Sequence, residues 1–296
     1  MVDIYHKWEP ITDLPANSER LRDKDFESTA QLWLSVRNKI PQNFLLEYQE
    51  KINRHWAIEI GQVENLYQID NNITEILIEY GLKSVELPHQ TSEFDFIDPN
   101  LFLESHKEAI EVLYLVVKNN EKLSHFLINS LHSIFVEHQH FAVGMDPLGR
   151  KAPIPLTKGL YKRYSNNPLR PDGLIHQYCP PTQTRSEMDR LLLTHEEHTK
   201  KNTPVEIEAA WFHHRFTQIH PFQDGNGRLA RALTSLIFLR AGFLPPVVTA
   251  QDKDNYLATL DLADKGDLQP FISYLASIVV AQTRRLLDSL PGLSLG

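Results

Sequence analysis

A mostly α-helical body with one small β-containing insertion is the fold class that three features predict. Apolar residues recur at three- and four-residue steps over most of the 296-residue chain. The stretch 143–183 breaks that period with Gly144, Gly149, Gly159, Gly173 and prolines 147, 153, 155, 168, 171, 180 and 181. No internal repeat, low-complexity tract or flexible linker interrupts the rest. An apolar fraction of 42% in a chain this long supports a real core.

The elements follow in order. Leu45, Tyr48, Ile52, Trp56, Ile60 and Val63 form one apolar stripe, which predicts a helix over 42–68. Ile73 to Tyr80 is a second, with Gly81 placed to cap it. A third pattern runs from Pro99 to His138, with turn residues Asn119 and Asn120 inside it. Within the irregular stretch, the alternation Gly159 to Tyr164 predicts a small hairpin. Helical period resumes from Thr184 to His198. Thr203-Pro204-Val205-Glu206 offers a capping-box spacing and a proline for the first helical position. That helix should pass through Trp211 and Phe212 and stop before Pro221. Another spans Asn226 to Arg240 and is ended by Gly242 and Pro245-Pro246. Asp254–Asp264 and Leu268–Leu290 complete the set.

Composition narrows the function. A net charge of -8 and a sequence pI near 6.0 speak against a broad nucleic-acid face. Cys179 is the only cysteine, so an intrachain disulfide is ruled out and a reducing compartment is expected. The N-terminus lacks the charged-then-apolar order of a signal peptide. The apolar run Phe271 to Ala281 is too short to span a bilayer. A cytoplasmic protein with no nucleic-acid or membrane partner is the expectation; self-association is left open.

The segment Ile219-His220-Pro221-Phe222-Gln223-Asp224-Gly225-Asn226-Gly227-Arg228-Leu229-Ala230-Arg231 carries the chemistry. Arg228 and Arg231 stand three apart in the first turns of a helix. Each cation there costs roughly 0.3–1 kcal/mol against the helix dipole. Their place beside Gly225-Asn226-Gly227 makes sense if an anion docks on the backbone N–H groups. Glycine lets backbone approach phosphate oxygens, and arginine adds planar donors matched to them. Asp224, just ahead of this cradle, would repel a phosphate unless a cation lay between, and Mg²⁺ suits that role. His220 ends the preceding helix, and the unperturbed histidine pKa near neutrality makes it the natural general base for a hydroxyl. Taken singly, these residues read as a turn, a cap and a dipole partner; together they read as a phosphoryl-transfer site.

The stretch His220 to Arg231 resembles the signature of the Fic (Fido) family, HPFx(D/E)GNGRxxR, at every fixed position. The likeness extends over roughly 100 to 285. It implies a Fic-type helical bundle at 98–296, a small β-hairpin flap, and an N-terminal helical region at 1–97. The implied activity is transfer of AMP from ATP to a Tyr, Thr or Ser hydroxyl of a target protein, with Mg²⁺. By the resemblance His220 is the base and Asp224 holds Mg²⁺. Gly225, Asn226 and Gly227 line the anion nest, while Arg228 and Arg231 bind the β/γ end. Phe222 plugs into the core. The flap, expected at about 159–178, pairs with the target main chain. Many members also carry an inhibitory helix, (S/T)xxxE(G/N). Here Glu64-Asn65 matches it, with Ile60 where Ser or Thr is usual, so Glu64 is expected to occupy Arg231. Tyr256 is a candidate adenine contact or a core aromatic.

Other candidates are weaker. His195 and His198 are three apart, not the four that HExxH needs, and are expected to be exposed. Of His213 and His214, one is expected to pack beneath the catalytic loop. No Walker phosphate loop is present. Removal of AMP from a modified protein, with Glu64 positioning water, and nucleotide binding without catalysis are the competing functions.

Overall fold

The computed structural model describes residues 3–91, 96–145, 150–170 and 172–290. Among them are ten α-helices: α1 (Lys24–Val36), α2 (Gln42–Val63), α3 (Asn71–Tyr80), α4 (Pro99–Lys118), α5 (His125–Phe135), α6 (Pro181–Lys200), α7 (Val205–Ile219), α8 (Asn226–Arg240), α9 (Lys253–Asp264) and α10 (Gln269–Asp288). Six short strands pair two by two. β1 (Ile4–His6) runs parallel to β6 (Ile175–His176), β2 (Gln90–Thr91) antiparallel to β3 (Phe96–Ile97), and β4 (Phe141–Met145) antiparallel to β5 (Lys151–Pro155).

At the centre lies the pair α7–α8. Surface helices bury one stripe, whereas helices apolar on all sides belong to the interior. α7 buries Ile207, Ala209, Ala210, Trp211, Phe212, Phe216 and Ile219, and α8 buries Leu229, Ala230, Ala232, Leu233, Leu236 and Phe238. The motif loop therefore joins the two best-packed helices. α6 and α10 flank α7, and α4 and α5 flank α8. The N-terminal helices share this core: Phe26, Trp33, Ile52, Trp56, Ile60 and Val63 pack in the same cluster as the α7–α8 pair. The indole of Trp33 donates to the Gly242 carbonyl at 2.8 Å, fixing α1 beside the end of α8.

The expected helices are present, but α1 is an addition to the predicted set, α2 stops at Val63 rather than 68, and there are three further changes. The 99–138 pattern is two helices. Asn120 turns left-handed (φ 52°) and the Ser124 side chain caps α5 through the Leu127 N–H. α7 starts one residue later than the capping box requires. Pro204, extended at ψ 136°, takes the N-cap place and no side chain caps the helix. The antiparallel pair nearest the flap expected at 159–178 is β4–β5, upstream of it at 141–155, and no hairpin forms at 159–164. That segment is instead irregular, held by the Lys162 N–H donating to the Pro221 carbonyl at 2.8 Å. No helix among the described residues is long and apolar enough to cross a membrane.

Candidate active site

α7 ends on His220 in the left-handed region (φ 48°, ψ 59°), a conformation that costs a non-glycine residue about 1–2 kcal/mol. Pro221 disfavours a helical His220, and a clamp holds the turn that results. The Asn226 side chain bonds both backbone groups of Phe222, accepting from its N–H at 2.9 Å and donating to its carbonyl at 2.8 Å. Asn166 donates to the carbonyls of Phe222 (2.6 Å) and His220 (3.3 Å). The Lys162 ammonium donates to Asn166 Oδ1 at 2.8 Å and to the Ile219 carbonyl at 3.2 Å. Beneath, Phe222 is fully buried and stacks on His132, ring centroids 3.8 Å apart. His132 Nδ1 accepts from the Gly159 N–H, so its Nε2 carries the proton it donates to the Asp224 carbonyl at 3.0 Å.

The imidazole of His220 is set by this frame. A carbonyl only accepts, so the 3.3 Å contact with Thr217 O places the proton on Nδ1 and leaves the Nε2 lone pair available. The Tyr178 ring lies flat on it, centroids 3.8 Å apart and planes within 4°. Burial, then the Lys162 charge, pushes the imidazole pKa down to about 3, so it is neutral at ordinary pH. Burial also brings Lys162 down to about 7.

Gly225 (φ 78°) is the N-cap of α8, which has no side-chain cap. The first intrahelical bond runs from the Leu229 N–H to the Gly225 carbonyl, so the N–H groups of residues 226–228 precede the ladder and point out of the helix end. A Cβ on Gly225 would come within 2.8 Å of Val136, and one on Gly227 would overlap the Glu64 carboxylate. Asp224 accepts from the Gly225 N–H and from Gln139 Nε2, both at 2.6 Å, with 37% of its side chain exposed.

The two arginines part company. Arg228, only 1% exposed, turns inward: it donates to the Phe135 carbonyl at 2.9 Å and to Gln139 Oε1 at 2.5 Å, 3.8 Å from Asp224. Arg231 faces α2, bonded to Glu64 at 2.7 Å and to the Ile60 carbonyl at 3.3 Å. A backbone carbonyl thus meets the guanidinium at the position where a Ser or Thr hydroxyl was expected. Burial raises the Glu64 pKa, but Arg231 and then Arg228 outweigh it and hold the carboxyl below its usual range.

Residues 96–238 match the model of the Fic/DOC family. Protein adenylyltransferase fic-1 of Caenorhabditis elegans is 39% identical over 95 residues, 32% of this chain and 18% of that protein. Protein adenylyltransferase Fic of Nematostella vectensis is 43% identical over 86 residues, 29% of this chain and 19% of its own. This chain carries a Fic/DOC family domain. The matched stretch is about a fifth of the length of these curated relatives. The fold agrees. A Fic domain containing signaling protein from Bacteroides thetaiotaomicron superimposes with a TM-score of 0.71 at 24% identity, over 89% of this chain and 95% of that one. Fic-1 from C. elegans does so at 0.69 and 20%, over 93% and 74%.

The structure brings His220, Asp224, Gly225, Asn226, Gly227 and Arg231 of the matched domain to one locus, and Glu64, from the end of α2 outside the matched residues, joins them. Asn226 enters it by closing the loop, and Arg228 by bracing Gln139 and α5 from inside. Tyr256 is buried, 3% exposed, packed on Phe271 and Tyr274, its hydroxyl 2.8 Å from His213 Nε2 and also hydrogen-bonded to the Arg231 guanidinium. His213 bonds Thr234 and Tyr256 in the core and His214 bonds Asp264 at 2.9 Å, while the histidine stacked beneath the loop is His132. His195 and His198 are buried rather than exposed, because Glu208 on the adjacent α7 takes both, at 2.6 and 2.5 Å. Gln139, Asn166, Lys162, Tyr178 and His132 escaped the sequence reading. Each lies 40 or more residues from the His220 turn with no motif of its own, and only the irregular composition of 143–183 marked the neighbourhood of three of them.

Proposed function

We propose that this protein transfers AMP from ATP to a Tyr, Thr or Ser hydroxyl of a target protein. The observation that carries the reading is the available Nε2 of a neutral His220 beside the uncapped N-terminus of α8. Nε2 takes the hydroxyl proton, the oxygen attacks the α-phosphorus, and the bond from that phosphorus to the bridging oxygen breaks, releasing pyrophosphate. N–H groups 226–228 hold phosphate oxygens where charge develops. Asp224 fits a Mg²⁺ ion: its carboxylate is oriented by two hydrogen bonds and more than a third exposed, and Mg²⁺ usually takes one or two carboxylates and shares its shell with phosphates. When bound, the ion neutralises phosphate charge. Arg231 is the residue we assign to the γ-phosphate, and Glu64 to its inhibition, since the two cannot be satisfied together.

The target chain, in this reading, adds to the β4–β5 hairpin by β-augmentation, with Val143 (57% exposed) among the side chains it meets. The test is labelling with α-phosphate-labelled ATP and Mg²⁺ in cell lysate. The Glu64→Gly protein should label an acceptor more strongly than the wild type, with a mass increment of AMP. Adding His220→Ala should lower that labelling at least ~100-fold. An inert Glu64→Gly protein that still binds ATP would reject transfer. Loss of AMP from a pre-modified acceptor, without gain, would assign the reverse reaction.

A further inference from the structure

One cluster of ligand-forming side chains lies outside the nucleotide site. β1 and β6 run side by side with His6 opposite His176, and the two imidazoles stack at 4.6 Å. Asp264, the last residue of α9, completes a triad whose ligand atoms all lie within 4.8 Å of one another. His176 Nε2 stands 3.9 Å from Asp264 Oδ2, beyond hydrogen-bond distance. Among the described residues, no hydrogen bond occupies a ring nitrogen of His6 or His176. We infer that His6, His176 and Asp264 bind a divalent transition-metal ion of the zinc class.

Two imidazoles and a carboxylate, with water in the remaining position, are a donor set that zinc accepts. Zn–N and Zn–O distances of about 2.0–2.2 Å require donors roughly 3.4 Å apart in a tetrahedron, so the widest pair must close by up to about 1.4 Å, within reach of imidazole rotation. The outer partner is already in place. Arg215 can only donate, so its 3.1 Å contact fixes the acceptor on His214 Nδ1. His214 Nε2–H therefore donates to Asp264 Oδ1 at 2.9 Å, which leaves Oδ2 facing His176. Such hydrogen bonds orient ligating carboxylates and are a regular part of metal sites.

The strand that supplies His6 is anchored independently. Tyr5 donates to Asp261 at 2.5 Å and is covered by the Arg170 guanidinium at 3.7 Å. The Gln177 N–H donates to the His6 carbonyl at 2.9 Å. An ion here would tie β1, β6 and α9 together one ring away from Tyr178, whose centroid is 4.8 Å from that of His176 and which stacks on His220. Metal binding is thereby placed to stiffen the support of the catalytic imidazole.

The test uses the full chain freed of metal, titrated with Zn²⁺ by calorimetry and with Co²⁺ by visible absorption. Neither readout depends on the proposed activity. The wild type should bind one ion per chain and give the intense absorption of a four-coordinate Co²⁺ site. His6→Phe, which retains a ring for the stack but offers no donor, and Asp264→Asn should each weaken binding by at least about 10–100-fold, the range that loss of an outer-sphere partner alone produces. If Asp264→Asn fails to fold, His6→Phe and His6→Ala decide. Absence of a stoichiometric site in the wild type, or undiminished affinity in the His6 variants, overturns the assignment.

Discussion

At the scale of single residues, burial sets the chemical state of His220. In the proposed transfer its competent form is neutral, and a pKa pushed down to about 3 keeps it neutral as pH falls well below the ordinary histidine value of about 6.5. The profile of kcat/KM in the Glu64→Gly protein should therefore be flat from about pH 7 to about pH 5, since that parameter reports the free enzyme. A bound triphosphate adds negative charge, which favours imidazolium, so kcat should show its acid limb at higher pH than kcat/KM does. An acid limb in kcat/KM centred near pH 6.5 would contradict the burial argument. Tyr178 is the second residue of consequence: its ring fixes the imidazole plane without offering a reacting group. Tyr178→Phe should keep kcat within about threefold, whereas Tyr178→Leu should lower kcat by about tenfold or more at nearly unchanged KM for ATP, the pattern of misplacement rather than lost binding. Equal losses in both variants would assign the hydroxyl, not the ring, as the active part.

At the scale of elements, the end of α2 decides where the Glu64 carboxylate stands. The Leu66 N–H bonds the Gly61 carbonyl at 3.0 Å and the Asn65 N–H bonds the Gln62 carbonyl at 2.9 Å, with Asn65 left-handed at φ 54°. This double closure is a Schellman stop, which wants glycine or asparagine at the left-handed position and so gives the Glu-Asn pair a backbone reason. Asn65→Gly should preserve stability and low basal labelling. Asn65→Val should cost about 1–2 kcal/mol in chemical denaturation and raise basal labelling as Glu64 leaves Arg231. Unchanged labelling in a demonstrably destabilised Asn65→Val protein would separate the helix end from regulation. The same scale shows what sequence can disclose. Helix positions were legible because the 3.6-residue period is local, and the motif loop because its residue types are too unusual for packing. The hairpin was not, since β4–β5 pairs Val143 with Pro153 and Phe141 with Pro155, prolines that mask a strand pattern and are tolerated because only one neighbouring strand needs serving. Residues 159–164 alternate like a strand, yet the Lys162 N–H is spent on the Pro221 carbonyl and the Gly159 N–H on His132. Nor could periodicity tell that Glu208 would draw His195 and His198 inward, because that carboxylate comes from another helix.

At the scale of the whole molecule, the N-terminal segment is strapped across α6 and α7, the helix that delivers His220. The Ile11 N–H donates to Glu187 at 2.9 Å, and the Thr12 carbonyl accepts from Trp211 at 3.0 Å and from Arg215 at 3.0 Å. Asp13 meets His198 Nε2 at 2.6 Å, and His198 Nδ1 meets Glu208 at 2.5 Å. Burial disfavours the charged form of His198, but Glu208 and then Asp13 outweigh it and hold the pKa above its ordinary value. A raised histidine pKa means that the folded state prefers imidazolium. The stabilisation is therefore complete below about pH 6.5 and is lost as pH climbs through the raised value. Burial likewise opposes ionised Asp13, and the His198 hydrogen bond outweighs it to depress that pKa, so its share fades only in acid, as pH falls below about 3.9 and through the depressed value. Between those limits the strap is at full strength. Heating the wild type at about pH 6 and again at about pH 9 should show a fall in Tm, with earlier proteolytic cleavage ahead of α1 at the higher pH. His198→Gln keeps a polar side chain without the titration, so its Tm should fall less over the same interval. Parallel slopes in the two proteins would mean that the His198 charge does not fasten the strap, and that the backbone bonds at Ile11 and Thr12 suffice.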